Sequence, residues 1–156
     1  RQARNLRVVR YRSLADEYTG ESCRGGVLAQ ALQSEGSASS AALYVLLRAA
    51  DRFYAAHGRY PGTGPDPSTG VEEDVPALKV LAQQLLAECG AGNAQLQDDY
   101  VMEVCRFGAG ELHVIGAFMG GMAAQEVIKL VTGQFTPLSG SLVYNAIGCT
   151  TASFEL

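Results

Sequence analysis

The chain has 156 residues and a formal net charge of -4, with 47% hydrophobic and 18% charged residues. That composition excludes disorder of the whole chain, and the length predicts about one domain with a real core. The acidic balance argues against nucleic acid as a partner, and no transmembrane span is expected. The longest apolar stretch, Val114 to Ala124, falls short of about 18 residues and contains three glycines.

Arginine is concentrated at the start. Arg1, Arg4, Arg7, Arg10, Arg12 and Arg24 face only Asp16, Glu17 and Glu21, whereas residues 25–156 hold six basic and thirteen acidic residues. Leu6, Val8, Val9 and Tyr11 interleave with these arginines, which favours a half-buried element with a solvated face over a phosphate-binding arm. No secretory signal pattern is visible, and a start in mid-pattern at Arg1 suggests part of a longer chain.

A weak helix fits Gly26 to Ser34. The first strongly periodic segment is Ser39 to His57, with Leu43, Leu46, Leu47, Ala50, Phe53 and Tyr54 on one stripe. Ser39 or Ser40 is its expected N-cap, Arg48, Asp51 and Arg52 lie off the stripe, and Gly58 ends it. A turn-rich loop runs from Tyr60 to Gly70. Glu72, Glu73 and Asp74 suit the start of another helix, and Pro76 should lie in its first turn. Leu78, Leu81, Leu85 and Cys89 form its expected buried stripe, closed by Gly90. A further helix from Asn93 to Arg106 turns Leu96, Tyr100, Val101, Val104 and Cys105 inward, with Asp98 and Asp99 as surface or helix-start charges.

The segment Glu111 to Thr132 differs in kind. Val114, Ile115, Phe118, Met119, Met122, Val127, Ile128 and Val131 leave little polar face, so this helix should be buried on most sides. Gly116, Gly120 and Ala124 recur every four residues beside Gly121, and each interior glycine costs about 0.8–1 kcal/mol relative to alanine. Close packing against another backbone is the natural compensation, and Gly133 should cap the helix. Two strands follow, Ser141 to Ile147 and Thr151 to Leu156. A hairpin and an apolar helix cannot satisfy each other, because an isolated hairpin is marginal and has open edges. A larger sheet supplied by other polypeptide is implied.

No catalytic constellation emerges. Cys23, Cys89, Cys105 and Cys149 show neither C-x-x-C nor zinc-ligand spacing, and free thiols in a reducing compartment are expected. Gly108, Gly110 and Gly116 do not follow a strand with dinucleotide spacing, and no P-loop is present. A thiol enzyme pairing Cys105 or Cys149 with His57 or His113 is the rival from another class. Glu126 and Lys129 are spaced for an ion pair rather than for catalysis. The candidate packing or interface residues are Phe118, Met119, Gly120, Gly121, Met122 and Tyr144.

Gly116-Ala-Phe-Met-Gly-Gly-Met-Ala-Ala-Gln-Glu-Val-Ile-Lys129 resembles a helix of the enzymes that activate ubiquitin and ubiquitin-like proteins. Arg7–Tyr18, Leu43–Phe53, Gly58–Gly62, Val71–Asp74, Asp98–Val101, Cys105–Gly108, Gln134-Phe135, Tyr144 and Thr151–Leu156 narrow the resemblance. They point to the C-terminal part of the regulatory-subunit family of the neddylation activating enzyme, which includes the plant auxin-resistance protein. The stretch 19–40 is shorter than the family pattern, and the loop Thr63–Gly70 looks expanded.

The resemblance implies a mainly α chain with a C-terminal β-strand pair. Residues 1–106 would be a helical insertion, and residues 107–156 the last helix and strands of an incomplete α/β adenylation fold. It implies a noncatalytic regulatory role, with ATP and magnesium bound by the catalytic partner subunit and none in this chain. The implied partners are that subunit and a ubiquitin-like modifier, with no nucleic acid or membrane, in the cytoplasm and nucleus. The corresponding sumoylation subunit and a freestanding helical adaptor are the alternatives.

Overall fold

The structure is a computed structural model that describes residues 11–18, 24–34, 38–64 and 70–156. The arginine-rich residues 1–10 and Cys23 lie outside the described residues. Among those described, the order is α1 (Leu14–Tyr18), α2 (Gly25–Gln33), α3 (Ala38–His57), α4 (Gly70–Glu88), α5 (Asp98–Phe107), α6 (His113–Thr132), β1 (Ser141–Asn145) and β2 (Thr150–Phe154). The expectation of a mainly α chain ending in a strand pair is borne out.

Helix α3 is the axis of the core. Ala41, Ala42, Val45, Leu46, Ala49, Ala50 and Phe53 are buried at helical spacing. Around them pack Leu28 of α2, Leu78, Ala82, Leu85 and Leu86 of α4, and Val101, Val104 and Cys105 of α5. The expected stripe is rotated by part of a turn: Leu47 and Tyr54 are about half exposed (49% and 48%), and Arg48 is buried instead. Arg48 enters the interior because its guanidinium finds partners there. It donates to the carbonyls of Glu17 and Tyr18 and to the Tyr44 hydroxyl, and lies 4.2 Å from the Tyr18 ring centre.

Helix α4 begins at Gly70, so Pro76 is its seventh residue and not in the first turn. The ring removes one N–H bond to the Glu72 carbonyl; both residues are exposed, where water can take the freed acceptor. Asp74, expected as a helix-start charge, is buried. Its carboxylate accepts from both terminal nitrogens of Arg59 (2.5 and 2.9 Å) and from the Gly62 amide (2.8 Å). Gly62 has φ +78, and a Cβ there would lie 1.7 Å from the Cys105 carbonyl oxygen, so only glycine fits this approach of the loop to α5. The Arg59 guanidinium holds the Asp74 carboxyl below its ordinary range, with the Gly62 amide adding to the effect.

Helix α5 starts at Asp98 rather than Asn93, because residues 89–97 turn back on α4 through Ala91, whose amide donates to the Leu86 carbonyl at 2.7 Å. Asp98 and Asp99 do occupy its first turn, and the left-handed Gly133 caps α6 as expected. The first strand ends at Asn145 rather than Ile147, and the second runs from Thr150 to Phe154 rather than from Thr151 to Leu156. The Asn145 side-chain oxygen accepts from the Ile147 and Gly148 amides at 3.0 and 3.5 Å and turns the chain there. The pairing is antiparallel, with Ser141 opposite Phe154 and Asn145 opposite Thr150.

Two measurements follow from this packing. Leu46→Ala should cost about 2–5 kcal/mol in urea unfolding, whereas Leu47→Ala next to it should stay within about 0.5 kcal/mol. The folded Asp74 carboxyl has a depressed pKa. Its contribution is therefore complete above the unfolded value near ~3.9, and is lost as pH falls through the folded value. The stability gap between the parent and Asp74→Asn, present at neutral pH, should close on acidification below the unfolded value.

Candidate functional site

The hairpin has two different faces because strand side chains alternate. Val143 and Asn145 point to α3, where Val143 joins the core and the Asn145 amide donates to the Ser39 hydroxyl at 3.2 Å. On the opposite face Tyr144 meets Phe118 of α6, with ring centres 4.4 Å apart. The sequence-predicted residues Phe118 and Tyr144 are thus brought together.

Helix α6 is otherwise largely exposed: none of its twenty residues is buried. Phe118 is 44% exposed and Val131 81%, while Met119 and Met122 are half-buried. A Cβ built on Gly116, Gly120 or Gly121 would meet nothing within 4 Å. The expectation of a helix buried on most sides is therefore not met among the described residues. Its apolar surface continues into Phe107, Leu112, Phe135 and Ile147, each exposed by 65% or more. By length and composition alone α6 could also cross a membrane. The apolar run from Val114 ends at Gln125 and Glu126, and the helix as a whole is long and apolar enough to carry them; the core helix of a water-soluble protein has the same character.

The polar end of α6 is organised. Lys129 donates to Glu126 at 2.6 Å, and the other Glu126 oxygen accepts from the Leu138 amide at 2.7 Å. Together they hold the Glu126 carboxyl below its ordinary range and pin the connection to β1 against the helix. This fits the ion-pair reading of the sequence.

Catalytic groups do not converge. Cys89 and Cys105 are buried and free, and burial pushes the Cys105 thiol up to about 11, away from the nucleophilic thiolate. Cys149 is free and exposed in the hairpin turn, at φ +49. Its thiol donates to the Ala146 carbonyl at 3.6 Å. His57 stacks on Phe53 at 4.2 Å. No group of three or more His, Cys, Asp or Glu able to hold a metal occurs among the described residues.

Sequence reasoning missed a second polar centre. Helix α1 is opened by Ser13 and Asp16, each bonding the other's amide. This Ser-x-x-Asp capping box is a signal the sequence offered. Glu17, next in line, is buried, and one of its carboxylate oxygens accepts from both the Tyr44 hydroxyl (2.5 Å) and the Ser141 hydroxyl (2.6 Å). Burial raises the Tyr44 hydroxyl above its ordinary range, with the bond to Glu17 adding to it.

Alkylation at neutral pH should modify Cys149 at least tenfold faster than Cys105. Peptide mass spectrometry reads that order directly.

No protein-family model matches the chain. It is 45% identical over 151 residues, 97% of its length, to the NEDD8-activating enzyme E1 regulatory subunit of Danio rerio. To the regulatory subunit AXR1 of Arabidopsis thaliana it is 43% identical over 147 residues, 94% of its length. The ubiquitin-like modifier-activating enzyme 1 of Homo sapiens is 36% identical over 111 residues, which is 70% of this chain and 10% of that protein. The chain spans about a quarter of the two regulatory subunits, 27% and 26% of their lengths. The resemblance drawn from the residues is borne out: over nearly its whole length this chain is similar to the regulatory subunits of the NEDD8-activating enzyme E1.

Proposed function

We propose that the chain is a section of a noncatalytic regulatory subunit that acts through a catalytic partner in neddylation. The partner holds ATP and magnesium, and the pair adenylates a ubiquitin-like modifier and passes it to a thioester. The observation that carries this reading is α6, a twenty-residue apolar helix with open glycines at Gly116, Gly120 and Gly121 and no buried residue. Interior glycines weaken a helix unless another backbone comes close, and so large an exposed apolar surface marks an interaction site.

In this reading residues 1–106 form a helical insertion. Residues 107–156 return to an adenylation fold, whose remaining sheet and helices cover α6 and pair the open edges of the hairpin. Phe118, Met119, Gly120, Gly121, Met122 and Tyr144 line that contact. The names of the relatives favour neddylation over sumoylation. The pathway carries with it a cytoplasmic and nuclear location.

Gly120→Leu together with Gly121→Leu in the full-length subunit tests this. Co-purification with the catalytic partner should fall at least tenfold while the α3–α5 core keeps its unfolding transition. Unchanged assembly and folding would contradict the reading.

A further inference from the structure

Among the described residues, 11–18 find no apolar anchor. Leu14 is 72% exposed, Tyr11 and Tyr18 are about half exposed, and the one buried residue of α1 is Glu17. What attaches the segment is polar. Glu17 takes the Tyr44 and Ser141 hydroxyls on one oxygen, Arg48 donates to the Glu17 and Tyr18 carbonyls, and Arg12 donates to the Leu156 carbonyl. The segment also forms one wall of a cleft of about 510 Å³, whose opposite wall is residues 136–141 with Glu155 and Leu156.

From this geometry we propose that residues 11–18 are a strap latched by Glu17, which opens as one unit while the helical core stays closed. An apolar anchor would resist opening in proportion to the area re-exposed. Here opening returns a carboxylate and hydroxyls to water, which replaces their bonds. Arg48 is the counterpart on the body side; its buried Nε has no hydrogen-bond partner even when the strap is closed. Because Glu17 bonds Ser141 at the head of β1 and Tyr44 on α3 at once, releasing it also loosens the seat of the hairpin. The inference is independent of what covers α6.

Native-state hydrogen exchange on the full-length polypeptide tests it. Amides of residues 16–18 should exchange at least tenfold faster than those of Val45 to Ala49. Glu17→Ala should speed them about tenfold further, since hydrogen bonds to a charged group are at stake. Tyr44→Phe and Ser141→Ala each remove one donor and should each speed the strap severalfold, leaving α3 unchanged. These two variants decide the matter should Glu17→Ala unfold the protein. Strap amides that exchange only at the rate of the α3 amides, or that ignore both hydroxyl deletions, would overturn the proposal.

Discussion

Apolar surface and interior glycines together place one demand on helix α6: something must lie close against it. Either feature alone has other solutions, since a bare apolar stripe can be a modest contact patch and a lone glycine can mark a kink. In α6 the apolar residues surround the helix, and the glycines fall where, among the described residues, nothing beyond their own helical turn comes within 4 Å of the Cβ they lack. The arrangement suits a helix whose stability comes from packing rather than propensity.

The rest of the fold presents this helix while remaining complete without it. Leu28, Phe53, Leu78, Leu85, Leu86 and Val101 are fully or almost fully buried in a core that owes nothing to α6. The hairpin stands between the two parts, with Val143 in the core and Tyr144 against Phe118. Polar ties secure its flanks: Ser141 to Glu17, Asn145 to Ser39, and Glu126 to the Leu138 amide. A sheet fragment too small to persist alone is thus seated by its neighbours on either side.

Much of this was legible in periodicity. Helices α2 to α6 and both strands follow from apolar spacing, and the Gly133 cap from its position. The misplacements share a cause, which is that spacing records hydrophobicity and not partners. Arg48 reads as a residue off the buried stripe and Asp74 as a helix-start charge, because their counterparts, Glu17 with Tyr18 and Arg59 with Gly62, are set by the fold rather than by neighbouring sequence. Helix α6 has the composition of a helix buried on most sides, yet none of its residues is buried among the described residues. The family resemblance was legible because it rests on residue identities along the whole chain rather than on one motif.

The most direct measurement is oxidative footprinting of Met119 and Met122, which are half-buried here. It should be run on the 156-residue chain and on the full-length subunit bound to its catalytic partner. The account predicts that both methionines are oxidised at least tenfold more slowly in the assembled protein. Equal oxidation in the two would show that α6 stays bare, and would contradict the account at its centre.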